Sequence, residues 1–320
     1  MSRAPFVVAA AGLLFTTCAA LRDARAQFER QADPFALVDN GYRCKAMQTA
    51  PVPWEEEHAV GGAVALGLAA SNGGFVLEPL VDGGVPRPDQ SAQDQMNLAL
   101  AEIGLNLASY SARPEIPWTF GAMDSDSVNA YSAPGGYVFV TRGLLARVEN
   151  EAQLAGVLAH EIAHITRRHA LRVYGVEKSW VCLAMLKGEE VGMTRVKLGD
   201  GRVVPKIELG KMAKDKLNRL LEKIVGKIVE KGYAHGDEYE ADAIAVELML
   251  AAGYDPREYQ KLLASLPDSQ ATWPNHPPPK ERVAKLEPLI REMGEGYALE
   301  SAPKVPVDPR LSAARRQATR

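Results

Sequence analysis

The sequence is poor in three things, and each absence narrows what it can be. Its net charge is only −3 over 320 residues, with 37 Lys and Arg against 40 Asp and Glu. That balance argues against a nucleic-acid binder, which needs an excess of positive charge to meet phosphates. Cysteine is scarce: Cys18, Cys44 and Cys182 are the three in the chain. Beyond the first residues there is also no long apolar run. The uncharged stretch from Ala59 to Ala70 falls far short of the roughly 20 residues a membrane span needs, and it reads as a buried helix whose glycines allow a close contact. Hydrophobic residues still make up 47% of the chain, enough for one large domain or two small ones.

The N-terminus stands apart. Arg3 precedes an apolar run from Ala4 to about Leu21, and Ala24-Arg25-Ala26 offers a small-residue cleavage site before Gln27, so residues 1–26 read as a secretory signal. Cys18 opens a second route, lipid modification, although Phe15-Thr16-Thr17 before it is a poor match to such processing. Either route takes the chain out of the cytoplasm. In an oxidising compartment Cys44 and Cys182 can pair, or remain as free buried thiols.

Residues 27–88 form an N-terminal lead-in and a helix. Gln27 to Trp54 is rich in turn residues and reads as extended, a helix is expected from Glu55 to Ala70, and Asp82 to Pro88 is a loop. The main domain is expected over 89–297. It starts with a helix from Asp89 to Ser109, closed by Pro114. Trp118 to Met123, Val128 to Tyr131 and Tyr137 to Val140 are strand-like runs separated by Asp124-Ser125-Asp126 and Ala133-Pro134-Gly135-Gly136, which predicts a small, mostly antiparallel sheet. Residues 298–320, with prolines and scattered arginines, are expected to be a disordered tail.

The stretch from Asn150 to Tyr174 carries the chemistry. Asn150 is a good N-cap with Gln153 at capping-box spacing, and Leu154, Val157, Leu158, Ile162 and Ile165 recur at helical intervals. On that helix lies His160-Glu161-Ile162-Ala163-His164, an H-E-x-x-H pattern. Residues four apart project side by side, so the two imidazoles can grip one cation, while Glu161 sits beside them as a general base. Both histidines fall at the edge of the apolar arc, where the core would orient them and a cleft would expose them. The pattern alone is suggestive, because chance also produces it, and a third ligand is needed.

A second amphipathic run supplies one. Glu238 and Asp242 are four apart, opening a helix that continues through Ile244, Leu248 and Met249 to Ala252, with Gly253 as its stop. One carboxylate can bind the metal and the other can fix the tautomer of a bound imidazole. Taken alone, an acidic pair at this spacing is a solvated helix face. Between the two segments, Arg195 to Lys231 carries eleven Lys and Arg against five Asp and Glu, and Leu217, Leu220, Leu221, Ile224, Val225 and Ile228 form a helical stripe. Such a helix can rest on anionic lipid, cover the cleft, or pack on its own domain. Further on, Asp255-Pro256-Arg257-Glu258 starts a helix to about Leu266, and a last helix runs from Lys280 to Met293.

Five ordered segments resemble the peptidase family that contains the prenyl-protein endopeptidase and the heat-shock membrane protease, especially its soluble periplasmic or lipoprotein branch. They are RPEIPWTF (Arg113 to Phe120), VNAYSAPGGYVFVTRGLL (Val128 to Leu145), EAQLAGVLAHEIAHITRRHA (Glu151 to Ala170), EYEADAIA (Glu238 to Ala245) and NHPPPKERVAKL (Asn275 to Leu286). The resemblance implies an α+β, gluzincin-like zincin domain, mainly helical, that binds one Zn(2+) per chain. His160, His164 and Glu238 become its ligands, Glu161 the general base, and Asp242 a carboxylate behind the ligands. His276 matches a histidine that in some relatives occupies the open position, so it can hold the enzyme latent or stabilise an oxyanion; an exposed histidine before prolines is the plainer alternative. His169 and His235 are read as surface or structural.

The function expected from this is zinc-dependent endoproteolysis of unfolded or misassembled envelope proteins, in the periplasm, soluble or membrane-attached. Val128, Asn129, Ala130 and Tyr131 would form an edge strand that holds an extended peptide, unless the strands only roof the core. Peripheral membrane association is a further expectation, and a nucleic-acid partner is not expected. The alternative from another class is a zinc-stabilised chaperone or assembly factor that binds envelope clients and seldom cuts them. The transmembrane helices of the family's membrane branch and the helical-repeat extension of some relatives are not expected here.

Overall fold

The computed structural model describes residues 42–76, 92–186, 192–197, 203–208, 222, 225–226, 233–267, 276–295, 297 and 306–311. The signal with Cys18, the 82–88 loop and Asn275 lie outside these residues. Described elements, in chain order, are α1 (Trp54–Ser71), α2 (Ala92–Ser109), β1 (Thr119–Met123), β2 (Ala130–Ala133), β3 (Tyr137–Thr141), the single turn α3 (Arg142–Leu145), α4 (Glu151–Thr166), α5 (His169–Leu186), β4 (Gly192–Lys197), β5 (Val203–Glu208), α6 (His235–Ala251), α7 (Pro256–Ala264) and α8 (Pro279–Met293). A 3-10 turn follows at Pro309–Leu311. The result is a mainly helical α+β protein.

The chain divides into two compact units, 1–59 with 171–225 and 60–170 with 226–320. In the first, residues 42–46 are helical where an extended lead-in was expected. Cys44 explains the difference: it is buried and bridged to Cys182, with their Cα atoms 5.5 Å apart. Of the two states open to these cysteines, the structure has the disulfide. In the same unit Glu56, in the first turn of α1, is buried, and its charge is met by Lys178 Nζ at 2.5 Å and by a hydrogen bond from the Tyr174 hydroxyl. Within the basic insert, residues 195–197 and 203–208 are strand, β4 pairing antiparallel with β5. Of its expected helical stripe only Val225 is described, and it is helical, as are the neighbouring residues 222 and 226.

The second unit holds a three-stranded sheet in the order β1-β3-β2. Ala133-Pro134-Gly135-Gly136 turns the chain between β2 and β3, with Gly135 and Gly136 at φ 82 and 96, a region a side chain rarely adopts. β2 and β3 are therefore antiparallel, Ala130 opposite Val140, whereas β1 lies parallel on the other side of β3, Thr119 opposite Tyr137. The sheet is mixed. The expected antiparallel pairing describes β2–β3 and does not describe β1–β3, and the β4–β5 pair was not expected.

α4 is the centre of this unit. Asn150 accepts a hydrogen bond from Gln153 N at 3.0 Å, and the Gln153 side chain reaches back to Glu149 N at 2.9 Å, one residue before the cap. Every residue from Ala152 to Ile165 is buried. The expected solvent-edged arc is thus corrected: α4 has no wet face, because α2, α6, α7 and β2 all pack against it. Small residues make this possible. A Cβ on Gly156 would sit 2.4 Å from Tyr259 Cβ on α7. α6 ends as the sequence suggested, with Gly253 at φ 82, Tyr254 N bonded to Met249 O and Gly253 N to Leu250 O. The C-terminal stretch expected to be disordered contains a docked piece: Pro306 bridges Asn150, Leu311 is fully buried, and Arg310 pairs with Glu102 on α2. Replacing Gly156 with Ala should overpack the α4–α7 contact and cost about 1–3 kcal/mol in urea unfolding; an unchanged midpoint would show that the two helices separate freely.

Candidate functional site

The site assembles from α4, α6, α7, α8 and His276, three residues before α8. On α4, His160 and His164 present their Nε2 atoms to one point, 3.0 Å apart. α6 brings Glu238, whose Oε2 lies 3.4 Å from His160 Nε2 and whose Oε1 lies 3.6 Å from His164 Nε2. All three side chains are buried, and these three residues form a group able to hold a metal ion. Tetrahedral coordination with bonds of about 2.0–2.1 Å separates ligand atoms by about 3.3 Å. The observed separations bracket that value. A second observation fits as well: Glu238 Oε1 is buried and has no hydrogen-bond partner among the described residues. A buried, unpaired carboxylate oxygen is costly unless a cation meets it.

The electrostatics of the three side chains are unequal: burial and the Arg282 charge oppose a proton on His160, but its hydrogen bonds to Asp242 and Glu238 raise its pKa to about 9. Burial opposes the charge on Glu238, yet His276 and His164 nearby and hydrogen bonds from His160 and His276 hold its carboxyl well below the usual range. Burial pushes the His164 imidazole well down, so it stays neutral and keeps a lone pair to offer. Glu161 is also buried, one residue past His160 on the same helix.

Asp242, one turn beyond Glu238, places Oδ1 3.0 Å from His160 Nδ1. Its surroundings include two groups the sequence reading did not assign. Arg282 on α8 donates from Nε to Asp242 Oδ2 at 2.9 Å and from Nη2 to Oδ1 at 2.6 Å. The Tyr259 hydroxyl donates to Asp242 Oδ1 at 3.0 Å and accepts from Arg282 Nη2 at 2.6 Å. Burial works against the Asp242 carboxylate, but the adjacent guanidinium and imidazole hold its pKa far below the ordinary value. A signal for Arg282 was present in the sequence: it shares the buried stripe Pro279, Leu286 and Ile290, where a lone basic residue demands an acidic partner.

His276 sits at the mouth of the group, Nδ1 2.5 Å from Glu238 Oε2 and its ring 5.7 Å from that of His160. His169 is not a surface residue. It is buried with Nδ1 2.7 Å from His164 Nδ1, while His235 is exposed. Tyr233 stacks on His164 at 4.3 Å. Ala130 and Tyr131 belong to β2, one of the two edge strands of the sheet among the described residues; Val128 and Asn129 lead into it.

Asp242→Asn should leave the Arg282 charge buried without its counterion and destabilise the protein by about 3–5 kcal/mol. Chemical denaturation checks this, and a loss below about 1 kcal/mol would mean that Arg282 finds water or another partner.

Comparison with known proteins agrees with this geometry. The model of peptidase family M48 matches residues 94–290. The beta-barrel assembly-enhancing protease of Escherichia coli (strain K12) is 25% identical over 225 residues, covering 62% of this chain and 41% of that protein. The mitochondrial metalloendopeptidase OMA1 of Schizosaccharomyces pombe is 25% identical over 202 residues, 61% of this chain and 53% of its own. Its counterpart in Danio rerio is 28% identical over 257 residues, 76% and 50%. The chain thus spans about half the length of these relatives, or less. With the family model matched over more than half of its length, and with a buried two-histidine, one-glutamate group on the matched helices, the chain belongs to peptidase family M48 and carries a metallopeptidase domain.

Proposed function

We propose that the protein is a zinc-dependent metalloendopeptidase that binds one Zn(2+) per chain through His160, His164 and Glu238 and hydrolyses peptide bonds of unfolded or misassembled cell-envelope proteins. The observation that carries this reading is the buried ligand group with a carboxylate, Glu161, beside it on the same helix. When held there, zinc supplies a Lewis acid able to lower the pKa of a water and polarise a carbonyl.

The remaining work falls to the chain's own groups. Glu161 takes a proton from the attacking water and passes it to the leaving amine as the C–N bond breaks. Asp242 accepts a hydrogen bond from His160 Nδ1–H, which would leave the Nε2 lone pair free to hold the metal. β2 is suited to hold an extended substrate. Asn129 O is bonded to Thr141 N, so by antiparallel alternation the peptide groups of Ala130 and Ser132 face away from β3; the Asn129 side chain takes Ala130 N at 2.9 Å, so a substrate would meet Ala130 O and Ser132. An edge of this kind engages backbone more than side chains, which favours unfolded chains over a single folded target.

The Cys44–Cys182 disulfide supports an oxidising compartment, in keeping with the signal-like N-terminus, and hence a periplasmic location. No described helix is long and apolar enough to cross a membrane. The basic insert, or an acylated Cys18, would supply peripheral membrane attachment. The contact of His276 with Glu238 supports a latent resting form in which this histidine screens the ligand group.

Purified full-length chain should bind zinc and cleave casein in a chelator-sensitive way. Glu161→Gln should retain the zinc and lose roughly 100- to 10,000-fold in rate; unimpaired cleavage would remove Glu161 from the base role, and client protection that survives this substitution would mark a chaperone. His276→Ala should raise casein turnover at unchanged zinc content. A fall in turnover instead would assign His276 to catalysis.

A further inference from the structure

His160 is backed by a carboxylate, whereas His164 is backed by a second histidine. The chain makes this possible at one unusual residue. After α4 ends, Arg168 adopts φ 58, a left-handed conformation that non-glycine residues enter only when their surroundings impose it. The reversal returns His169, the first residue of α5, to the back of the His164 ring, Nδ1 to Nδ1 at 2.7 Å. His169 Nε2 lies 3.2 Å from Glu240 Oε2, and Arg167 Nη2 lies 2.5 Å from Glu240 Oε1. Tyr233 closes the other side, stacked on His164 and 5.7 Å from the His169 ring.

The proton positions follow from the metallopeptidase reading, on which this inference rests. His164 Nε2 faces His160 and Glu238 and must offer a lone pair there, so the ring proton is on Nδ1. Two N–H groups cannot face each other at 2.7 Å. His169 Nδ1 therefore accepts, and its own proton is on Nε2, directed at the Glu240 carboxylate that Arg167 keeps in place. We propose that His169 is the positioning residue of the metal centre: the one-way relay from His164 Nδ1–H to His169 Nδ1, and from His169 Nε2–H to Glu240, locks His164 in its metal-binding tautomer.

The relay also excludes a neighbour. His169, Asp237 and Glu240 have ligand atoms within 4.8 Å of one another and form a second group able to hold an ion. An ion on His169 Nε2 would move that ring's proton to Nδ1, against the His164 N–H. A loaded first centre therefore forbids a second ion, and the relay requires one zinc per chain.

The test is zinc affinity by chelator competition on the full chain, wild type against His169→Asn and His169→Phe. The Asn Oδ1 stands where Nδ1 stood and still accepts, whereas Phe fills the volume and accepts nothing. His169→Phe should weaken zinc by roughly 10- to 100-fold, with His169→Asn recovering most of it. The cobalt-loaded Phe variant should show a shifted visible spectrum, which a role in folding alone would not produce. Should the Phe variant not fold, the partly exposed Glu240 keeps the question open to measurement: Glu240→Leu should weaken zinc and Glu240→Gln, still an acceptor, should not. Equal affinities across the set, an Asn variant as weak as Phe, or a second His169-dependent zinc in the wild type would overturn the relay alone. A wild type that binds no zinc would overturn the metallopeptidase reading with it.

Discussion

The site depends on charge that is buried yet balanced within a few ångströms. Removing an ion from water costs several kcal/mol even after relaxation, and only well-directed partners repay it. Asp242 meets Arg282 through two hydrogen bonds and His160 through a third. Glu238, the most enclosed of the group, has His160, His164 and His276 around it and one oxygen without a hydrogen-bond donor among the described residues. Each imidazole has its second nitrogen engaged, His160 by Asp242 and His164 by His169. Few arrangements satisfy all of these at once, so the constellation has essentially one geometry, which is what a ligand site needs.

Such a network is only as stiff as the helices that carry it. α4 is rich in alanine and glycine on the faces its neighbours approach, so α6 and α7 come close enough for short acidic side chains to reach the histidines. Gly156 against Tyr259 is the clearest case, since the same tyrosine uses its hydroxyl to tie Asp242 to Arg282. The local cap of α4 joins in: Asn150, besides capping its own helix, donates to Glu258 on α7 at 2.8 Å. A start signal of four residues thereby also fixes one helix against another.

Much of this was readable beforehand because it is local. The caps at Asn150 and Asp255 and the Gly253 stop involve residues two to five apart, and the structure has all three. The ligand trio came from two i, i+4 patterns and a family resemblance. What escaped was either long-range or concealed by composition. His169 looks like any histidine after a basic pair until the left-handed Arg168 turns it inward. Arg282 meets Asp242 across 40 residues, and only its place on an apolar stripe hinted at burial. The parallel β1–β3 pair was invisible because strand direction is decided by the path of the chain between strands, which no short pattern records.

Taken alone, the amino-acid sequence determined most of the helices, several of their ends, and which residue types stand at ligand spacing, because capping, periodicity and i, i+4 proximity are properties of a few consecutive residues. Only the tertiary structure decided which faces of α4 meet which neighbours, that its histidines are enclosed rather than set at a solvent edge, and which partners hold their protons. Those outcomes depend on several helices burying surface together, and burial is what turns a carboxylate or an imidazole from a solvated group into a directed one.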